Sequence, residues 1–211
     1  MNIVAIIVVI AVVLGSMILH ELAHGLMAYA LGDSTAREQG RLTLNPFKHL
    51  DPILSFALPV LLALTGGPIF GGAKPVPIDT RNLKYGVWGM ALVALAGPVT
   101  NFLLAFVAFL LGFFTGGLAD FGVVGFIFTE IILINLGFGI FNLIPVPPLD
   151  GSRVLYAIAP DGIRRVMDRL ESLGLMIVMA IVLFFPGIIS TIMSGAMSGI
   201  LDFFYFLVGV R

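Results

Sequence analysis

Cysteine is absent from the 211-residue chain, and charged residues make up only 11% of it. Without cysteine no disulfide can form, and any metal has to be held by histidine, aspartate or glutamate. Hydrophobic residues account for 59% of the chain and its mean hydropathy is +1.11, far above ordinary soluble domains. The net charge of −1 provides no basic surface, so we expect no nucleic-acid partner. The composition predicts a protein embedded in a lipid bilayer.

Several apolar stretches approach the roughly 20 residues that a membrane-spanning helix needs. The stretch at 53–70 is interrupted by proline and glycine, which favours irregular backbone. Irregular backbone at membrane depth has to be covered by protein or water. In the polar stretch at 33–51, which follows the first apolar stretch, the alternating residues GRLTLNP predict a short strand or hairpin. The six apolar stretches cover residues 2–31, 53–70, 88–114, 121–144, 173–189 and 190–209.

Basic residues indicate which of these stretches cross the membrane. Lys and Arg cluster in the loops around 37–48, 74–84 and 153–169, and such loops favour the cytoplasmic side. If all three are cytoplasmic, residues 53–70 form a re-entrant segment and the chain crosses five times. A full crossing by 53–70 gives six. The sequence therefore predicts an all-α polytopic membrane protein with five or six transmembrane helices, forming one domain over residues 1–211.

The first apolar stretch contains the motif HELAH at residues 20–24. His20 and His24 are four residues apart, so they project from one face of a helix and can bind one metal ion, while Glu21 can act on a metal-bound water. An ionisable group near the bilayer centre costs about 2.5–3.5 kcal/mol, which favours a functional role. The alternative interpretation is a set of packed polar residues that bridge helices.

A catalytic zinc takes three protein ligands and keeps a fourth position open, so a third donor has to come from elsewhere in the chain. His49 is one candidate, but its polar surroundings, NPFKHLDP, favour a solvated loop histidine. Asp150 is the better candidate because it lies in a proline-rich break, IPVPPLDG. The prolines prevent a regular helix and leave backbone groups unpaired, which near the membrane is tolerated only where the backbone lines a cavity. Asn142, just before that break, can stabilise an oxyanion or hold a substrate backbone.

Together, HELAH at 20–24 and NLIPVPPLDG at 142–151 resemble the two signature motifs of the site-2 protease family of intramembrane zinc metalloproteases. Further segments resemble its short bacterial and archaeal form, which has no PDZ or CBS domain: RLTLNPFKHLDP at 41–52, GGAKPVPID at 71–79 and AGPVTN at 96–101.

This resemblance implies that His20, His24 and Asp150 bind one Zn²⁺ ion. It also implies that Glu21 is the general base and acid and Asn142 a substrate or oxyanion stabiliser, with a re-entrant or strand-like segment near the active site. The expected activity is hydrolysis of peptide bonds within or near transmembrane segments of membrane proteins. The expected partners are such a substrate and the bilayer, and the expected location is a prokaryotic cytoplasmic membrane.

Two other functions fit some of these features. A membrane metal-ion transporter also needs intramembrane His and Glu, but it distributes ligands along a path, often in repeated halves. An inactive, protease-like binding protein would lack Glu21 or a ligand. The chain concentrates these groups in one place and keeps every matched position, so the sequence favours a peptidase. It does not indicate the oligomeric state.

Overall fold

The computed structural model describes residues 3–52 and 73–210, and all structural statements below concern these residues. They are predominantly helical and include three short 3-10 turns at Pro46–Lys48, Thr80–Asn82 and Gly117–Ala119. The predicted re-entrant segment at 53–70 lies outside the described residues. The helices are α1 Ile3–Ala30, α2 Thr35–Glu38, α3 Val87–Phe114, α4 Val123–Asn142, α5 Asp150–Ile158, α6 Asp161–Glu171, α7 Gly174–Phe184 and α8 Pro186–Leu207.

Four of the described helices, α1, α3, α4 and α8, are long and apolar enough to span a membrane. The all-helical membrane class is thereby confirmed at the coarse level, whereas the five or six crossings are not. Helix α7 has 11 residues, fewer than the roughly 20 that a crossing needs. The predicted boundary at 189/190 is wrong, because the chain breaks at Phe185 and a new helix begins with Pro186, whose ring cannot continue the preceding helix.

The strand predicted at GRLTLNP is wrong, since no strand occurs within the described residues. Asn45 instead caps the 3-10 turn Pro46–Lys48, its side chain accepting a hydrogen bond from the Phe47 N–H. Residues 73–79 form neither a helix nor a strand. Their prolines lack the N–H that a ladder requires, and Lys74 makes one backbone bond to the neighbouring loop, donating to His49 O over 2.8 Å.

Helix α3 lies at the centre of the helical packing and contacts α1, α4 and α5. Small residues on α3, such as Ala105 and Ala108, allow close approach of the neighbouring helices, and Phe109 fills the space between them. A second, smaller cluster joins the end of α1 to the start of α3 through Ala28, Leu83 and Val93. The main core consists of Ala105, Ala108, Phe109, Ile132, Leu136, Ile140 and Phe204.

Candidate active site

Helix α1 carries both histidines of the HELAH motif on one face. Their Nε2 atoms lie 2.9 Å apart, their ring centroids lie 4.5 Å apart, and both side chains are buried. Residues four apart lie one turn from each other on the same side of a helix, so the motif spacing alone accounts for this pair. Glu21, the next residue after His20, is half-buried.

Asp150 reaches the two histidines from the first residue of α5. Its Oδ2 lies 3.2 Å from His20 Nε2 and 3.4 Å from His24 Nε2, and this buried oxygen has no hydrogen-bond partner. A Cβ on Gly151 would lie 2.1 Å from Leu143 O, so only glycine lets α5 start this close to the end of α4. The structure thus brings together His20, His24 and Asp150, whose ligand atoms all lie within 4.8 Å of one another.

The other ring nitrogen of each histidine is hydrogen-bonded to a residue of α3. His24 Nδ1 lies 2.7 Å from Val93 O, and His20 Nδ1 lies 2.6 Å from Asn101 Oδ1. A backbone carbonyl can only accept, so His24 Nδ1 carries a proton, and in the neutral imidazole that binds a metal its Nε2 presents a lone pair to Asp150.

A chain of buried side-chain amides indicates that Nδ1 of His20 also carries a proton. Asn135 Nδ2 lies 2.8 Å from Ile131 O, which only accepts, so this nitrogen is the donor and Asn135 Oδ1 is the acceptor at the other end. That Oδ1 accepts from Asn101 Nδ2 over 2.8 Å. Asn101 therefore presents its oxygen to His20, whose Nδ1 donates. Asn135 Nδ2 also donates to Ser16 Oγ over 2.8 Å, which returns the chain to α1.

Three lone-pair atoms consequently face one another: two imidazole Nε2 atoms and one carboxylate oxygen. With both imidazoles neutral, none of them supplies a proton to the others, so this buried arrangement is costly unless a cation, a metal ion or a proton, lies between them. Two histidines and a carboxylate are a donor set of catalytic zinc sites, with the remaining ring nitrogens held by carbonyl or amide oxygens as such sites require. The residues present fit one zinc ion.

Gly97 on α3 makes room for this group. A Cβ at Gly97 would lie 2.5 Å from His20 Cε1, 2.5 Å from His24 Nε2 and 2.6 Å from His20 Nε2. These distances are well below van der Waals contact, so any larger residue would displace the rings or the helix.

Glu21 accepts a hydrogen bond from the backbone of residues 73–79. The Val76 N–H donates to Glu21 Oε2 over 2.8 Å. Val76 lies between Pro75 and Pro77, neither of which has an N–H, so Val76 is the one backbone donor of this triplet. Arg41 fixes the same segment by donating from Nη2 to Lys74 O over 2.8 Å.

Two further candidates lie apart from the three ligands. Asn142 is the last residue of α4, and its Nδ2 donates to Phe138 O of the same helix over 3.0 Å. His49 is buried, contrary to the expectation of a solvated loop histidine, and the Lys74 N–H donates to its backbone carbonyl. Its Nε2 bonds to Thr43 O over 2.7 Å, and it is absent from the metal-competent group.

Comparison with known proteins identifies related zinc metalloproteases. A family model described as Peptidase family M50 matches residues 114–185. "Putative zinc metalloprotease YwhC" of Bacillus subtilis is 41% identical over 174 residues, covering 77% of this chain and 74% of the relative. "Putative zinc metalloprotease Rip2" of Mycolicibacterium smegmatis is 33% identical over 189 residues, covering 84% and 67%. No solved structure matches the chain significantly.

The family match and the relatives show that this apolar helical chain, in which two buried histidines and a partly buried aspartate converge, is an intramembrane zinc metalloprotease. Its extensive similarity to the two relatives shows that the chain belongs to Peptidase family M50, and the resemblance to site-2 proteases is confirmed. Zinc as the cofactor is likewise supported.

Proposed function

We propose that the chain hydrolyses peptide bonds in transmembrane segments of other membrane proteins, with His20, His24 and Asp150 as ligands of one zinc ion. The observation that carries this proposal is the convergence of their ligand atoms beside Glu21 within an apolar helix. His20 and His24 precede the end of α1 at Ala30 by roughly 15 and 9 Å. A site at that depth is accessible to a membrane-embedded chain rather than to a soluble protein.

In the proposed reaction, zinc when bound supplies a Lewis acid for the scissile carbonyl and lowers the pKa of water to about 7. Glu21 accepts a proton from the attacking water and delivers it to the leaving nitrogen, while the water oxygen bonds to the carbonyl carbon and the C–N bond breaks. The Val76 N–H orients the Glu21 carboxylate for this transfer through its bond to Oε2.

The substrate has to unwind locally before it is cut. In a transmembrane helix each amide is hydrogen-bonded within the helix and hidden from water. Substrates with glycine or proline near the scissile bond should therefore be cut faster than uniformly leucine-rich ones. Asn142 would then hold the exposed substrate backbone, exchanging its bond to Phe138 O for a substrate carbonyl.

The whole chain, residues 1–211, acts in this proposal as a single domain in a prokaryotic cytoplasmic membrane. The packing of α3 against α1, α4 and α5 supports one domain, because every proposed ligand lies on α1 or α5. The three basic loops favour the cytoplasmic side, and with those loops there the chain crosses five times if α7, at 11 residues, crosses together with the residues that flank it.

The test compares purified wild type with Glu21→Gln on a model transmembrane substrate, measuring cleavage and bound zinc together. We expect wild-type cleavage, loss of cleavage in the variant and equal zinc in both, since Glu21 is not a ligand. Glu130→Gln is the matched control, because it makes the same change in another apolar helix and should leave cleavage unchanged.

Two results would contradict the proposal. Zinc binding without cleavage of several helix-broken substrates would favour a binding protein or transporter, and cleavage by Glu21→Gln at the wild-type rate would remove its assigned role.

A further inference from the structure

Helix α6 packs one side against the helix that carries Asp150. Met167 is buried on this side, and Arg164 donates from Nε to Tyr156 O and from Nη2 to Ala157 O, both over 2.9 Å. These two acceptors lie in the last turn of α5, whose final carbonyls have no partners within the helix. The contact therefore fixes α6 to the C-terminal end of α5.

The outward side of α6 carries a row of apolar side chains. Ile163, Val166 and Leu170 are 49%, 53% and 38% exposed. Spacings of three and four residues place all three along one face of the helix. No described residue covers this row, although a helix packed on a larger structure normally buries its apolar face.

Two arginines border this row. Arg165 and Arg169 are exposed and lie four residues apart on one side of the helix; at about 100° per residue, Arg169 lies about 60° and Arg165 about 100° around the helix from Val166. Within the part of the chain that the structure describes, neither has an ion-pair partner.

Among the described residues, the acidic residues of α6 form no ion pair with these two arginines. Asp161 lies 3.6 Å from Arg164, Glu171 pairs with Arg153, and Asp168 accepts from the Tyr156 hydroxyl over 3.5 Å. The outward side of α6 consequently has an apolar row beside two unpaired positive charges.

We propose that α6 lies in the membrane interface, with Ile163, Val166 and Leu170 among the upper acyl chains and Arg165 and Arg169 bound to phosphates of anionic phospholipids. An apolar face bordered by arginine is typical of helices in this position, and long basic side chains reach headgroups while their stems stay in apolar surroundings. Helix α7 begins at Gly174, three residues after α6 ends, and is wholly apolar, so the chain passes directly from α6 into lipid.

This docking would connect lipid charge with the position of a metal ligand. Asp150 begins α5, and α5 is nine residues long, about 14 Å. Arg164 joins α6 to the far end of α5, and the Arg153–Glu171 pair joins the two helices along their length. Anionic lipid bound by α6 thus positions α5, and this inference holds whatever substrate the site cleaves.

The test places a tryptophan reporter on each side of α6 in a Trp88→Phe background, which removes the natural tryptophan. Val166→Trp reports on the apolar row. Asp168→Trp, two residues on and nearly opposite on the helix, is the matched control. Proteoliposomes of phosphatidylcholine, with and without phosphatidylglycerol, contain lipid brominated high on the acyl chain, and emission wavelength and quenching are measured.

We expect a blue shift and strong quenching for the reporter at 166 in phosphatidylglycerol vesicles, and water-like emission for the reporter at 168. Arg165→Gln with Arg169→Gln should weaken docking about fivefold per arginine, the factor for 1 kcal/mol per basic residue at an anionic surface. Lys48→Gln with Lys84→Gln, which removes the same charge from other loops, should leave quenching unchanged.

Three results would overturn the proposal. The first is water-like emission at 166 in anionic vesicles. The second is quenching that is equal in pure phosphatidylcholine or unaffected by the arginine replacements, which would remove the phosphate contact. The third is emission that follows the protein-to-lipid ratio instead of lipid charge, which would mean that a second copy of the chain covers this face.

Discussion

Asn101 Oδ1 accepts the Nδ1 proton of His20 over 2.6 Å, and this bond sets which nitrogen of His20 faces Asp150. Asn101 is itself oriented by its bond to Asn135, which is fixed by the carbonyl of Ile131. The Ile131 carbonyl of α4 thus orients two buried amides in turn, and the second of them determines that Nδ1 of His20 is the nitrogen that donates. Partners of this kind hold the ring in place and strengthen the ligand.

Asn101→Ala should lower zinc affinity by about 10- to 100-fold, the usual effect of losing an outer hydrogen-bond partner of a ligand. Competition with a fluorescent chelator measures it. Asn101→Asp keeps an acceptor for His20 but places an oxygen against Asn135 Oδ1, so it should recover only part of the affinity, whereas a residue that only packs would not be rescued at all. Equal zinc affinity for wild type and Asn101→Ala would contradict this role.

Gly97→Ala should impair zinc binding even though it adds only a methyl group. The new Cβ would lie within 2.6 Å of both histidine rings, so either the rings or α3 must move. The matched control is Gly15→Ala on α1, where nothing lies within 4 Å of the added Cβ and alanine improves helix propensity by about 0.5–1 kcal/mol. Chelator competition and thermal unfolding in detergent distinguish the two variants. Unchanged zinc affinity in Gly97→Ala would contradict this prediction, because it would mean that α1 and α3 can move apart without weakening zinc binding.

The three metal-competent residues could be predicted because helical spacing fixes His20 against His24, and because the proline-rich break marks Asp150. Partners across helices could not be predicted in the same way. Asn135 and Ser16 are single polar residues within apolar stretches, and their only signal is the cost of burying an unpaired polar group in lipid. The role of Val76 depends on a backbone N–H, which no side-chain pattern records.

Two other sequence-based expectations failed because of tertiary contacts. His49 was expected in solvent from its polar neighbours, but it is buried and Lys74, distant in sequence, bonds to its carbonyl. The alternation at GRLTLNP indicated a strand, yet Arg41 from this segment is buried and bonds to the carbonyl of Lys74 by its side chain. Local patterns do not specify which long-range contacts satisfy the backbone.

Asn142→Ala separates substrate binding from metal binding. Its amide bonds to Phe138 O and to none of the three ligands, so we expect unchanged zinc affinity together with reduced cleavage. The loss should be about 100- to 1,000-fold in kcat, the effect of removing one positioned amide donor from a transition state. Parallel chelator and cleavage assays measure both quantities. Full activity of Asn142→Ala would mean that Asn142 has only a structural role in α4. Reduced zinc affinity of the variant would mean that Asn142 supports the metal site.

Val76→Pro should slow cleavage without reducing zinc binding. Proline removes the N–H that Glu21 Oε2 accepts, and a hydrogen bond to a charged group is worth about 1.5–3 kcal/mol, or roughly 10- to 100-fold in kcat. Val76→Ala is the control, because it shortens the same buried side chain but keeps the N–H. If Val76→Ala is as slow as Val76→Pro, side-chain packing against Gly25 and not the N–H is what matters.

Asp33 connects the end of α1 to the segment that reaches Glu21. This buried carboxylate accepts hydrogen bonds from Asp79 N over 2.8 Å, from Thr35 and from Asn82. Burial alone would raise the pKa of Asp33, but the hydrogen bonds from Thr35, Asp79 and Asn82 prevail and lower it below its ordinary value of 3.8. The carboxylate therefore stabilises the folded protein fully above that ordinary pKa, and the contribution is lost as pH falls through the lower, folded-state pKa.

Asp33→Asn removes this contribution, so wild type should unfold at a higher temperature than the variant near about pH 7, and the difference should shrink below about pH 3. Thermal unfolding in detergent at both pH values measures the difference. Hydrogen bonds from Arg81 lower the pKa of Asp79 to about 2. Because Asp79 is present in wild type and in Asp33→Asn, its titration does not change the difference in unfolding temperature between them. A difference as large in acid as at neutral pH would mean that Asp33 acts through shape and not through its charge.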